Sequence, residues 1–239
     1  MNLKLLGYLS LLSLVVTAIW LVLFITGMAG APPLETWEEA VSAARSIDGL
    51  FYLTYLNAVL VTLFALALFG GLYAYLRSVS PLWAAIGLVF VPVYGLLNLV
   101  VYFSQITLLP RLLPFLDNPR HAPTMEILIS QFFQQWTGST LNVFNNLGYA
   151  ILGIPSIIFG MLLVNAIFHA ILRIAGVLLV TSGIASLLGI VGILAGSELL
   201  GWGSVLGGAL YLLALIPLAA GFLRNDLPQL TASQISNSI

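Results

Sequence analysis

Residues 82–108 read LWAAIGLVFVPVYGLLNLVVYFSQITL and contain no charged side chain. A helix needs about 20 mostly apolar residues to cross the hydrocarbon core of a bilayer, and this stretch is longer than that. Pro81 directly before it fits the first position of a helix, because the N–H that proline lacks would have no partner there. We therefore predict that residues 82–108 form a transmembrane helix.

Five more stretches of the same kind occur along the chain. They lie at residues 5–28, 50–76, 141–167, 174–197 and 200–223. Of the 239 residues, 61% are hydrophobic and only 6% are charged, and the mean hydropathy is +1.11. A soluble domain has about 25% charged residues, so this chain lacks the charge to cover a surface that faces water. The sequence predicts an all-α polytopic membrane protein, with six transmembrane helices in one domain over residues 1–239.

Two connections between spans are long enough to carry helices of their own. In residues 31–49 the apolar side chains share one helical face, formed by Leu34, Trp37, Val41, Ala44 and Ile47. Residues 109–140 are first proline-rich and then present a second such face, formed by Met125, Leu128, Ile129, Phe132, Phe133 and Trp136. Both patterns predict a short amphipathic helix at the membrane interface or over the bundle. Ser139 or Thr140 is available to cap the fourth span.

Composition and charge exclude several classes of function. The formal net charge is −1 and Lys and Arg form no cluster, so a nucleic acid would find no basic surface to bind. The chain has no cysteine, which excludes disulfides, thiolate nucleophiles and iron–sulfur clusters. His121 and His169 are expected near opposite membrane surfaces and cannot jointly hold a haem or a metal, so we predict no cofactor and no metal site. No G-x-S-x-G motif or acid–base pair is visible, so no catalytic residue is predicted.

One face of the third span carries polar side chains at membrane depth. These residues step by four, four and three positions and so share one side of a helix: Tyr94, Asn98, Tyr102 and Gln105. At about 1.5 Å per residue from Pro81, Asn98 falls in the outer third of the bilayer and Gln105 near its surface. Polar groups at this depth cost free energy, so they indicate a binding site or a structural polar network.

Two other spans bring polar residues to the same membrane side. The second span begins there with Tyr52, Tyr55 and Asn57, and the fourth with Asn142, Asn145, Asn146 and Tyr149. We predict that the three helices form a polar, aromatic funnel, partly covered by the two amphipathic helices. The candidate ligand-binding residues are Asn98, Tyr102, Gln105, Asn142, Asn146, Tyr149, Tyr55 and Asn57. The alternative is hydrogen bonding between helices together with a belt of interfacial tyrosines.

The predicted funnel holds no ionised side chain, which narrows the choice of ligand. Proton pumps and cation-coupled transporters place carboxylates or histidines along their path, whereas Asp48 and Glu198 lie only at the ends of spans. Amide and phenol groups suit a lipid headgroup, a quinone-like molecule or a neutral solute. Tyrosine faces can also hold a quaternary ammonium group.

Small residues recur at helical spacing in the last two spans. They are Ser182, Ala185, Gly189, Gly192 and Gly196 in the fifth span, and the GxxxG pair Gly203 and Gly207 in the sixth. Such faces let helix backbones approach closely in lipid. The pattern predicts a tight helix hairpin within the chain or, alternatively, the contact face of a homodimer.

The positive charges predict the orientation. With the N-terminus inside, the cytoplasmic side holds Lys4, Arg77, Arg173 and Arg224, and the other side holds Arg45, Arg111 and Arg120. This distribution follows the positive-inside rule, so we predict cytoplasmic N- and C-termini. Lys4 and Ala29-Gly30-Ala31 resemble parts of a signal peptide. The apolar run between them exceeds the roughly 7–15 residues of a signal core, so we expect it to be a span.

Two short motifs stand out in the third to fifth spans. They are Tyr102-Phe103-Ser104-Gln105, and Asn146-Leu147-Gly148-Tyr149 with Gly153 and Arg173 downstream. This pattern resembles one in small uncharacterised six-span bacterial integral membrane proteins. The resemblance implies a helical bundle in the bacterial inner membrane with no assigned activity, and it implies no catalytic or binding residue.

These patterns lead to three hypotheses of function. The first is a non-enzymatic membrane protein that binds a lipid-like or neutral small molecule in a polar pocket at one membrane side. The second is a structural or accessory subunit of a larger membrane complex, favoured by the scarcity of soluble loops and the many small-residue and aromatic faces. The third is a membrane-embedded transporter or an enzyme acting on lipid. The expected partners are membrane lipid and, alternatively, other membrane subunits or a second copy of the chain.

Overall fold

A computed structural model describes residues 3–28, 34–166 and 169–224 of the chain. Within these residues every regular element is a helix, and none is a strand. Six helical segments are long and apolar enough to cross a membrane. The prediction of an all-α polytopic membrane protein is therefore confirmed. Residue 167 of the predicted fourth span and the segment Ala29-Gly30-Ala31 lie outside the described residues.

The spans begin and end close to their predicted positions. The first four are α1 (Leu3–Met28), α3 (Gly49–Leu76), α4 (Pro81–Phe103) with its continuation, and α7 (Thr140–Ala166). The last two are α8 (Ala170–Ala195) and the pair formed by α9 (Glu198–Gly201) and α10 (Gly203–Leu223). The fifth span was predicted to begin only after Arg173, but Arg173 lies in the first turn of α8. A long guanidinium side chain can reach the membrane surface from a helix end, so it does not have to stop the helix.

The third span continues past its predicted end at residue 108. A π-helical turn at Ser104–Leu108 follows α4, then α5 (Leu109–Leu112) and a 3₁₀ turn at Leu113–Asp117. The N–H of Leu109 donates to the carbonyl of Ser104, as a π turn requires. Pro110 has no N–H to donate and would crowd the preceding turn of a regular α-helix, and the wider π turn before it accommodates the proline ring. The proline-rich start of the predicted loop is therefore helical.

Both predicted amphipathic helices are present, and they pack against each other. They are α2 (Trp37–Arg45) and α6 (Ala122–Phe132). In α2 the predicted inner face is buried at Val41 and Ala44, whereas Trp37 is 40% exposed. The second helix ends at Phe132, before Phe133 and Trp136 of its predicted face, because Phe133 adopts an extended backbone conformation.

The described residues form two compact units. The glycine-rich unit contains the described parts of Met1–Val15, Leu63–Gly95 and Gly148–Ile239. The loop unit contains the described parts of Val16–Thr62 and Leu96–Leu147, and therefore both amphipathic helices. Helices α1, α3, α4 and α7 contribute residues to both units. The organisation of the chain as one domain stays a prediction.

The predicted small-residue faces pack α8 against α10 within the glycine-rich unit. Ser182 Oγ donates to the carbonyl of Gly207 at 2.7 Å. A methyl group at Gly203 would collide with the backbone of Ala185 and Gly189. These faces are thus occupied inside the chain, which favours the helix-hairpin interpretation over the homodimer.

A second glycine contact, between α7 and α8, was not predicted from the sequence. A methyl group at Gly153 would lie 2.7 Å from the carbonyl oxygen of Gly183, and one at Gly160 would lie 2.6 Å from that of Gly176. Glycine is required at these positions because no side chain fits between the two backbones. Each helix places its two glycines seven residues apart, a spacing that returns to the same helical face.

Candidate functional site

The loop unit collects nearly all of the predicted ligand-binding residues. The start of α3 supplies Tyr55 and Asn57, the end of α4 with its π turn supplies Asn98, Tyr102 and Gln105, and the start of α7 supplies Asn142 and Asn146. Asn98 and Gln105 are 0% exposed, and Tyr102, Tyr55 and Asn57 are 8% exposed or less. Tyr149 belongs to the glycine-rich unit, where its ring lies 6.4 Å from that of Tyr94.

Gln105 binds the backbone of the segment that follows α6. Its Nε2 donates to the carbonyl of Phe132 at 2.7 Å, and its Oε1 accepts from the N–H of Gln134 at 3.2 Å. One side-chain amide thus pairs with both a donor and an acceptor of the extended backbone. These backbone groups have no helical partners where α6 ends, so Gln105 explains why the helix can stop at Phe132.

Gln134 is a member of the polar cluster that the sequence did not single out. Its side-chain Oε1 accepts from Tyr55 Oη at 2.5 Å, and its backbone carbonyl accepts from Asn142 Nδ2 at 3.0 Å. Gln134 lies two residues beyond the end of α6, among the residues that were predicted to belong to the second amphipathic helix. No local pattern would have revealed these contacts, because they depend on the loop turning back onto α3 and α7.

The start of α7 is held by its own polar side chains. Ser139 Oγ accepts from the N–H of Asn142 at 3.0 Å, so Ser139 is the cap that the sequence offered as one of two candidates. Asn146 Nδ2 donates to the backbone carbonyl and to the side-chain Oδ1 of Asn142, at 2.9 and 3.0 Å. Asn142 and Asn146 therefore use some of their donors and acceptors in hydrogen bonds within α7 itself.

Aromatic rings pack beside this network. The ring of Tyr55 lies 4.6 Å from that of Phe51 and 6.1 Å from that of Tyr102, and Phe51 stacks on Phe133 at 6.2 Å. Such ring contacts contribute about 0.5–1.5 kcal/mol each beyond the area that they bury. They fix the positions of Tyr55 and Tyr102, which lie on α3 and α4 respectively.

The side-chain amide of Asn98 makes no hydrogen bond within the described part of the chain. Its side chain is fully buried, and neither Nδ2 nor Oδ1 has a partner among the described residues. A buried polar group without a partner costs about 1–3 kcal/mol, and such groups are rare in folded proteins. The Oδ1 atoms of Asn57 and Asn145 are also buried and without a partner in this part of the chain. The loop unit thus contains unused donors and acceptors deep in the spans.

The charged residues of the loop unit are exposed or half-exposed and lie in the loops and at the far end of the third span. Glu39 accepts from the backbone N–H groups of Glu35 at 2.8 Å and Thr36 at 3.1 Å and so closes a capping box at the start of α2. These backbone hydrogen bonds hold the pKa of the Glu39 carboxyl below its usual value. Arg45 pairs with Asp117 at 3.1 Å on the exposed surface. Charge therefore lines the edge of the unit, and its buried part is neutral.

Comparison of the chain with known protein families, with curated proteins and with solved structures finds no match.

Proposed function

We propose that this chain is a non-enzymatic integral membrane protein that binds a neutral or lipid-like small molecule in the loop unit, with Asn98 as its central contact. The observation that carries the proposal is the fully buried Asn98 amide, whose donor and acceptor both lack a partner among the described residues. A ligand that reaches this amide would pair both atoms and so remove the free-energy cost of burying them.

The chemistry of the surrounding residues supports an uncharged ligand. The buried side chains of the loop unit include amides, phenols and hydroxyls but no carboxylate, Lys, Arg or His among the described residues. An amide offers one acceptor and two donor hydrogens. The complementary group therefore both donates and accepts, as a hydroxyl group, a carboxamide or a hydroquinone does. Tyr102, one helical turn beyond Asn98, supplies an aromatic face for an apolar ring or chain.

The test compares two variants that each remove one buried polar group from the loop unit. Asn98→Leu removes the amide without much change in volume. Thr62→Val is the control, because the buried Thr62 hydroxyl already donates to the carbonyl of Ala58 at 3.0 Å. Both proteins and the wild type are purified in mild detergent and examined by native mass spectrometry, first as isolated and then with dioleoylglycerol and a short-chain ubiquinol as probes, each of which carries a hydroxyl group.

We expect the wild type and Thr62→Val to carry one neutral molecule per chain and Asn98→Leu to bind it at least tenfold more weakly. A factor of ten corresponds to about 1.4 kcal/mol, within the range of one lost hydrogen bond to a buried group. The proposal is wrong if Asn98→Leu retains the same molecule to the same extent, or if the wild type binds neither a copurified molecule nor a probe.

A second candidate function is that of an accessory subunit in a larger membrane complex. One observation favours it: only 11% of the apolar window of the first span is buried inside the protein, against 39–50% for the other five spans. A face with so little cover can pack against a helix of another protein. Photo-crosslinking from Val22, which is 63% exposed, tests this candidate. A crosslinked protein of defined mass supports an accessory subunit, and crosslinks to lipid alone contradict it.

For the location we propose the cytoplasmic membrane of a bacterium, with both termini in the cytoplasm. The distribution of cations between the two sets of span ends, four against three, supports the orientation. The helix order fits this arrangement, because six spans return the chain to the side on which it starts.

A further inference from the structure

An open groove lies on the surface of the glycine-rich unit, between α7 and α8. It measures about 380 Å³ and is lined by Val164 of α7 and by Arg173, Ile174, Val177 and Leu178 of α8. Ile174 is 56% and Val177 is 52% exposed, so the groove opens toward the surface that meets lipid. Arg173 is the one charged residue that lines it. The groove is therefore an apolar channel with a cation at the end where α8 begins.

The groove forms where the glycine contact between α7 and α8 ends. Gly160 and Gly176 hold the two backbones so close that a methyl group on either would collide with the other helix. One turn further along α7 the residue is Val164 and not a glycine, so the close backbone contact does not continue there. Its Cγ2 already lies 2.9 Å from where a Cβ of Gly176 would be. The helices therefore leave a gap toward the start of α8.

Among the described residues, the charges at this membrane surface are all positive. Four cations lie at the same ends of the spans that contribute to the glycine-rich unit: Lys4, Arg77, Arg173 and Arg224. Glu198 is the one carboxylate among the described residues of this unit, and it lies at the opposite ends, after α8. The first N–H groups of α8 add to the positive potential, because the side chain of His169 does not cap them. An anion is therefore favoured at the end of the groove.

We propose that this groove binds an anionic phospholipid, with one acyl chain along Val164, Ile174 and Val177 and the phosphate at Arg173. The apolar lining of the groove suits a hydrocarbon chain, and the guanidinium suits a phosphate through two parallel N–H donors. This site is separate from the one proposed around Asn98, because its residues belong to the glycine-rich unit. The two proposals can fail independently.

Native mass spectrometry of the full chain in mild detergent tests the proposal. The probe is an equal mixture of dioleoyl phosphatidylglycerol and dioleoyl phosphatidylcholine, which differ in charge but not in acyl chains. We expect the wild type to retain phosphatidylglycerol in preference to phosphatidylcholine. Arg173→Gln should lower that preference about fivefold, the effect of one cation near an anionic lipid. Val177→Phe should lower the retention of both lipids, because the ring fills the groove.

Two matched controls separate this site from general properties of the surface. Arg77→Gln removes a cation from the same membrane surface without changing the groove. Val22→Phe adds the same ring to a groove of about 280 Å³ on α1, which is lined by Ala18, Ile19, Val22 and Leu23 and carries no charge. We expect both controls to bind lipid as the wild type does. Soluble glycerol 1-phosphate should not displace the lipid, because it lacks the acyl chain.

A second variant of Arg173 separates the effect of its charge from an effect on folding. Arg173→Lys keeps the charge and serves as a second variant if Arg173→Gln does not fold; it should retain most of the preference for phosphatidylglycerol. The proposal is overturned if Arg173→Gln keeps the full preference, if Arg77→Gln lowers it equally, or if Val177→Phe and Val22→Phe have the same effect. Displacement by glycerol 1-phosphate would instead show a phosphate site without a lipid groove.

Discussion

Two amide side chains on one face of the third span have different roles. Gln105 pairs with the backbone at Phe132 and Gln134, whereas Asn98 has no partner among the described residues. Helical periodicity was enough to predict that both lie on one buried face, because it is a local property of the sequence. It could not predict the partners of Gln105, which follow it by 27 and 29 residues and meet it only after the loop has folded back.

Removing the Gln105 amide should destabilise the loop unit. Gln105→Leu leaves the Phe132 carbonyl and the Gln134 N–H without partners, and we expect a loss of about 1–3 kcal/mol for each buried group. Gln135→Leu makes the same exchange at an exposed position of the same loop and should have little effect. Thermal unfolding in detergent measures the difference. Equal stability of the two variants would mean that the Gln105 hydrogen bonds do not hold the loop.

At the scale of helices, the length of an apolar run predicts a span better than it predicts where the span ends. The sixth span ends at Leu223, where it was predicted to end. The third span runs on to Asp117 because a π turn admits Pro110, and α6 stops early because Gln105 pairs with the backbone beyond Phe132. Neither the π turn nor the early end of α6 can be recognised from the hydropathy of the sequence. The contact between Gly153 and Gly183 was not predicted, because which helix faces which depends on the fold.

Neighbouring glycines on α10 provide a test of the helix hairpin. A methyl group at Gly207 would collide with Ser186 Oγ and lie 3.0 Å from the carbonyl of Ser182, whereas one at Gly208 would meet nothing within 4 Å. We expect Gly207→Ala to destabilise the protein by about 1–3 kcal/mol through overpacking. Gly208→Ala should leave stability unchanged or raise it by up to about 1 kcal/mol, because alanine favours the helix. Thermal melting compares the two, and a hairpin of this geometry is contradicted if Gly208→Ala is the more harmful change.

The capping box of α2 predicts a dependence on pH. The pKa of Glu39 is lowered by its backbone hydrogen bonds, so folding favours the ionised form. The stabilisation is fully present above the unfolded pKa of about 4.5 and is lost as the pH falls through the lower folded pKa. The protection of the α2 amides against hydrogen exchange, taken relative to the intrinsic exchange rate at each pH, should therefore fall in acid. Glu39→Gln keeps the acceptor but does not titrate, so its protection should change less with pH, and identical profiles would contradict the role of Glu39.

For the whole molecule, low charge and six apolar runs were sufficient to predict a six-span helical protein. The same information could not predict that the described residues divide into two compact units, because helices such as α3 and α4 contribute to both. The division depends on which side chains meet around each core. The polar residues that the sequence grouped by membrane side are gathered in the loop unit, apart from Tyr94 and Tyr149. Hydropathy carries no information about a ligand for these residues.

Single cysteines test the arrangement in the membrane, since the chain has none of its own. Ser46, Thr137 and Ser78 are exposed residues between spans. With six spans and cytoplasmic termini, cysteines at 46 and 137 should react with an impermeant maleimide from outside the cell, and a cysteine at 78 only after the membrane is opened. Labelling at 78 with protection at 46 and 137 would show that the orientation is the opposite one. Labelling at all three positions from outside would contradict the six-span arrangement.

The most direct test of the account is the experimental density beside Asn98 in the protein reconstituted in native lipid. Cryo-electron microscopy at a resolution that separates side chains would locate a bound molecule. The account predicts non-protein density, larger than a water molecule, within hydrogen-bonding distance of the Asn98 amide. A map in which that amide pairs with another protein group or with water alone would contradict the account.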